Sequence, residues 1–167
     1  MLKPQDIVIL LKVYCLNSKW TYAELAESLK TSTSVVHDAL QRCDECHLYN
    51  LKKRIVLKGA LEEFLVHGLK YVFATRIGTM VRGIPTAHSA EPLKSLLMVS
   101  DNNAYVWASP QGKIKGLGIK PLYHSVPEVA LQDSRFYEML CLVDGLRIGK
   151  VREQQLVALE LQKRFHE

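Results

Sequence analysis

Four groups of residues in this 167-residue chain have types and spacings that could do chemistry. Cys43, Asp44, Glu45, Cys46 and His47 match the spacing of a covalent haem attachment. That chemistry belongs to exported chains, and the start Met1-Leu2-Lys3-Pro4-Gln5-Asp6 does not read as a secretory leader. Zinc needs a fourth ligand and usually a second close pair, whereas Cys15, Cys141 and His67 are distant single residues. No metal or other cofactor is expected, and buried, reduced thiols account for the cysteines. Thr86, Ala87, His88 and Ser89 set a histidine beside a serine. Neighbours in sequence seldom reach nucleophile–base geometry, and no nucleophile elbow is present, so these are expected to be loop anchors. Gly116-Leu117-Gly118 lacks the third glycine of a phosphate cradle and does not open a helix. No enzyme activity is expected from these groups. The last group, Lys52, Lys53, Arg54 and Lys58, is the densest basic run. Alone it is a solvated turn; after a helix that reads bases it would contact phosphates.

Residues 21–42 supply such a helix. Thr21 with Glu24 makes a capping box, and Leu25, Ala26 and Leu29 form one apolar face. Lys30 and Thr31 make a turn, and Ser32 caps a second helix. Val36, Ala39, Leu40 and Cys43 give that helix a buried stripe. Thr33, Ser34, His37, Gln41 and Arg42 fall mostly on the other face, an arrangement suited to a major groove. Asp38 shares that face. Ser34, His37 and Gln41 are expected closest to base edges, with Arg42, Lys52, Lys53 and Arg54 on phosphates.

Before this motif, residues 7–16 are apolar almost all round, as in a helix buried on nearly every side. Residues 17–20 form a linker in which Trp20 pins the first helix. After the motif, residues 48–51 and 54–57 read as two short strands around the basic turn. Residues 60–67 read as a helix capped by Gly68. Residues 69–75 follow as a strand.

Beyond this point glycine and proline become common. Gly78, Gly83, Pro85 and Pro92 argue against a long element. Strands are expected at 96–99 and 104–107, with a turn at 100–103, and Gly116, Gly118 and Pro121 keep the following stretch irregular. Ser125 and Glu128 repeat the capping-box pattern. The helix breaks at Asp133 and Ser134, resumes with Phe136, Leu140 and Val143 inward, and is loosened by Gly145 and Gly149. Residues 151–165 form a last helix with Leu156, Val157, Leu159 and Leu161 on a wide apolar face. The fold class is α+β: a helix-turn-helix with a short hairpin over residues 1–70, then a small strand-containing and helical unit over 71–167.

The hydrophobic fraction of 48% suits a packed core, and the formal charge of +5 is compatible with a nucleic-acid partner without identifying one. No apolar run is long enough to span a membrane, so a soluble cytoplasmic protein is expected.

Leu25-Ala26-Glu27 through Leu29, then Ser32, Val36, Ala39-Leu40 and Arg42, resemble the winged helix-turn-helix of MarR-like transcriptional regulators. Phe73, Val81 to His88, Pro121-Leu122-Tyr123 and Ser125-Val126-Pro127-Glu128 resemble bacterial winged-helix proteins associated with nucleotidyltransferase toxin–antitoxin pairs. The first resemblance implies a sequence-specific repressor bound to double-stranded DNA as a homodimer. The second implies an antitoxin or operon autorepressor of a toxin–antitoxin or phage-defence system, with a toxin protein as partner. The hairpin is shorter than the MarR pattern, and strands stand where that family continues in helices. An interaction adaptor that uses the same fold without touching DNA is the alternative.

Overall fold

The computed structural model of the protein describes residues 1–17, 19–98 and 103–167. It is a mixed α+β chain. Helices α1 (Pro4–Leu16), α2 (Tyr22–Ser28) and α3 (Thr33–Glu45) come first. A hairpin of β1 (Tyr49–Asn50) and β2 (Ile55–Val56) leads to α4 (Lys58–His67) and α5 (Leu69–Val72). Then come β3 (Met80–Pro85), a 3-10 turn (Ala87–Ser89), α6 (Leu93–Leu97), β4 (Tyr105–Ala108) and β5 (Ile114–Gly118). Helices α7 (Val126–Ala130), α8 (Ser134–Ile148) and α9 (Val151–Phe165) close the chain.

Helix α1 is the inner element. Pro4 occupies the first turn, where its missing N–H costs nothing, and the Asp6 carboxylate accepts from the Lys3 amide at 2.8 Å. Ile7, Val8, Ile9, Leu10 and Leu11 have no solvent exposure, because α3, α8 and β2 all pack against the helix. Its one interior cation, Lys12, is satisfied by Asp133 at 2.7 Å and lies 5.0 Å from the centre of the Phe136 ring. Asp133 also caps α8 by accepting from the Phe136 amide, which fixes the expected break at this residue. One hydrophobic core contains α1, α3 and α8 together, so it runs continuously across residue 70.

Strands β3, β4 and β5 close on one another. Strand β3 pairs antiparallel with both neighbours, Ile84 opposite Trp107 and Arg82 opposite Lys115, while β4 and β5 run parallel. Closure needs Gly83: a Cβ there would stand 2.1 Å from the Trp107 carbonyl oxygen. The small barrel is fastened to α8 by Asp144. That carboxylate accepts from Thr86 Oγ1 and Trp107 Nε1, both at 2.7 Å, and from Arg147 at 2.8 Å. Arg147 donates further to the carbonyls of Phe73 and Lys120. Burial raises the Asp144 carboxyl above its usual range, against the opposing pull of Arg147.

Several local expectations are corrected. Residues 69–72 continue as helix α5, because the Tyr71 and Val72 amides bond back to Gly68; Tyr71 is exposed and no alternating face exists. Leu96 and Leu97 belong to helix α6, whose Leu93 is its buried residue. Position 99 of the expected strand, residues 100–102 of the turn and position 18 of the linker lie outside the described residues. Gly116 and Gly118 lie within β5, paired to Val81 and Val106. Gly145 does not loosen α8. It lies inside the helix, where a Cβ would come within 2.9 Å of Leu93 and 3.0 Å of Val157, so its smallness lets α6 and α9 approach.

Candidate nucleic-acid interface

Helices α2 and α3 are joined by residues 29–32. Thr21 accepts from the Glu24 amide at 3.1 Å while Glu24 accepts from the Thr21 amide at 3.0 Å. Lys30 turns the chain with φ of 51°, and Ser32 accepts from the Val35 amide to start α3. The stripe of Val36, Ala39, Leu40 and Cys43 is buried without exception, and this fixes what α3 shows outward. Thr33, Ser34, His37 and Gln41 are all exposed, together with Asp38. The His37 ring lies 5.6 Å from that of Tyr22 on α2, which limits its swing.

Arg42 is not available to a phosphate. Its guanidinium donates to both oxygens of Asp6, at 2.7 and 2.8 Å, and Asp6 has no solvent exposure. The carboxylate raises the Arg42 pKa above its ordinary value. The pair ties α3 to the first turn of α1. Arg42 sits at the margin between the buried stripe and the exposed face, and Asp6, 36 positions earlier, gave no local sign of the pairing.

The hairpin turn presents Lys52 and Lys53, both exposed. The Asn50 side chain accepts from the Lys53 amide at 2.9 Å and shapes the turn. Arg54 is partly committed. It stacks 4.2 Å over the Trp20 ring and donates to the Trp20 carbonyl at 2.7 Å, latching the hairpin to the linker before α2. Lys53 and Arg54 also border a groove of about 600 Å³ whose other cations are Lys19 and Lys58, with no acid in its lining. Sequence reasoning left out Lys19, an isolated linker residue; the only available sign was Trp20 beside it, an aromatic that Arg54 was suited to cover.

Residues from the second half hold the turn before α3. Ser125 Oγ donates to the Leu29 carbonyl at 2.7 Å, Thr31 and Tyr123 join hydroxyls at 2.8 Å, and Glu128 pairs with Lys30. Ser125 therefore does not cap α7, correcting the capping-box expectation; the long-range acceptor claims its hydroxyl.

The other candidate groups are occupied structurally. Cys43 is buried in the core and burial raises its thiol well above the usual range; Cys15 is pushed up to about 12 by the same cause. Cys46 and His47 are exposed at the end of α3, and no metal-holding group of three or more His, Cys, Asp or Glu occurs among the described residues. Ser89 Oγ accepts from the Tyr105 amide, and His88 packs edge-on to the Tyr105 ring. No helix of the described residues is long and apolar enough to cross a membrane.

Comparison with protein-family models, with curated proteins and with solved structures finds no match.

Proposed function

We propose that the chain is a sequence-specific, DNA-binding transcriptional regulator built on a MarR-like winged helix-turn-helix. Helix α3 is the recognition helix and the hairpin its short wing. The observation that carries this reading is the exposed face of α3. Thr33 and Ser34 lie in its first turn, with His37 and Gln41 one and two turns on. Lys52 and Lys53, exposed and without an ion-pair partner among the described residues, stand on the neighbouring hairpin. Polar side chains at the start of a helix reach base edges, while flanking lysines hold phosphates and set affinity. Two copies would be needed for a strong site. The reading therefore includes a homodimer, with the C-terminal helices, where Leu159 of α9 is exposed, as its candidate interface. In this reading the regulator represses its own operon, with a toxin protein as the partner of the second half.

The experiment is selection of a duplex from a random pool, followed by a salt titration on the selected and on a random duplex. His37→Ala and Gln41→Ala should each lose about 1–3 kcal/mol of discrimination while leaving random-duplex binding intact. Lys52→Ala with Lys53→Ala should weaken both duplexes and flatten the salt slope by about 2. Absence of any selected sequence would overturn the reading.

A second reading, a winged-helix adaptor that binds protein and not DNA, draws on charge. Residues 1–69 carry nine Lys and Arg against eight Asp and Glu, and Asp38 lies on the recognition face. No duplex binding at low salt would favour it.

A further inference from the structure

The chain's surplus of cations over acids arises in its middle segment. Residues 70–124 hold seven Lys and Arg against two acids, Glu91 and Asp101, while the rest of the chain has fifteen of each sign. Folding then concentrates part of this excess on one side of the barrel. Arg82 on β3 and Lys115 on β5 are direct register partners, and both are exposed. Lys113 is exposed two residues before Lys115, and Arg76 is exposed just before β3. Two like charges directly opposite on neighbouring strands repel. Several cations of the fold do answer acids: Lys12 with Asp133, Lys30 with Glu128, Arg42 with Asp6, Arg164 with Glu138 and Glu160. Arg82, Lys113 and Lys115 have no side-chain hydrogen-bond or ion-pair partner among the described residues. Glu91 is spent on Ser95.

We propose that the β3–β5 face is a second DNA-phosphate contact site, separate from α3 and its hairpin. The closed strand order leaves no free edge in the barrel, so a partner cannot add a strand and must meet side chains. Lys115, with Lys113 two residues before it and Arg82 directly opposite, gathers three exposed cations at one place on the barrel, and the Arg82 guanidinium presents a donor fork suited to phosphate. The site rests on the DNA-binding reading for its ligand but not on any base contact by α3.

The test is a salt titration of binding to a random-sequence duplex with three double variants. Arg82→Ala/Lys115→Ala should flatten the plot of log affinity against log salt by about 2, at roughly 0.9 per phosphate contact. Lys3→Ala/Arg152→Ala removes the same net charge from exposed sites elsewhere and should change the slope by less than half as much. Lys52→Ala/Lys53→Ala reports the hairpin separately. A barrel variant no different from the Lys3/Arg152 control overturns the site, whether the face is idle or meets an acidic protein. Loss in the barrel variant alone supports the site while counting against the hairpin. Failure of the unaltered protein to bind any duplex at low salt overturns both proposals.

Discussion

The guanidinium of Arg42 grips both oxygens of Asp6, joining the third helix to the first turn of the first. A residue at the margin of the proposed recognition face is thereby a structural tie. Arg42→Ala would strand a carboxylate with no solvent exposure and should destabilise the fold by about 3–5 kcal/mol. Denaturant unfolding measures the loss. The salt slope of DNA binding should not change, since no phosphate contact is removed. Asp6→Leu combined with Arg42→Met should recover much of the stability, because an apolar pair leaves no buried charge unpaired.

Ser125 reaches across 96 positions to the Leu29 carbonyl. Ser125→Ala should cost about 1 kcal/mol, the net worth of one buried hydrogen bond. Its sharper signature is local. Amide exchange at residues 29–31 should speed up while the hairpin amides at 49–56 keep their protection. Equal loosening of both would count against a specific hold on the turn.

Burial pushes the buried Tyr49 phenol up to about 12 against the nearby Arg54 guanidinium, and its hydroxyl meets no partner at hydrogen-bonding geometry among the described residues. An unsatisfied buried group costs its lost hydration. Tyr49→Phe should therefore be neutral or stabilising by up to about 1 kcal/mol, read as a rise in denaturant midpoint at constant slope. Destabilisation by that amount would mean that the hydroxyl has a partner after all.

Burial raises the Asp133 carboxyl, but the Lys12 ammonium and the Phe136 amide outweigh it, so the group sits below its ordinary value of 3.8. The folded chain then binds fewer protons than the unfolded chain below that pH. The stability this group contributes is present above pH 3.8 and is lost as pH falls through its lower folded value. Asp133→Asn should flatten the acid limb of melting temperature against pH. Asp133→Ala also strips the α8 cap and isolates Lys12, which has 8% side-chain exposure, and should cost about 3–5 kcal/mol at neutral pH.

How much of this was legible differs along the chain. The caps at Thr21 and Ser32, the buried stripe of α3, the break at Asp133 and the span of α9 are set within a few residues, by local hydrogen bonds and a 3.6-residue period. At residues 69–75 the alternation of Tyr71 and Phe73 mimics a pleat, but helical bonds to the Gly68 carbonyl decide the outcome for 69–72. The exposed residues of the candidate site, Thr33, Ser34, His37, Gln41, Lys52 and Lys53, follow from the face opposite the stripe and from a polar turn.

Sequence alone determined which residues α3 must bury and hence which it must show, because helix periodicity and apolar burial leave one solution. Tertiary structure decided which charges remain free. Asp6 claims Arg42, Trp20 engages Arg54, Glu128 claims Lys30, and closure of the barrel leaves Arg82 opposite Lys115 with no acid pairing them among the described residues. Charge pairing depends on distances between segments far apart in the chain, and no local spacing encodes those distances.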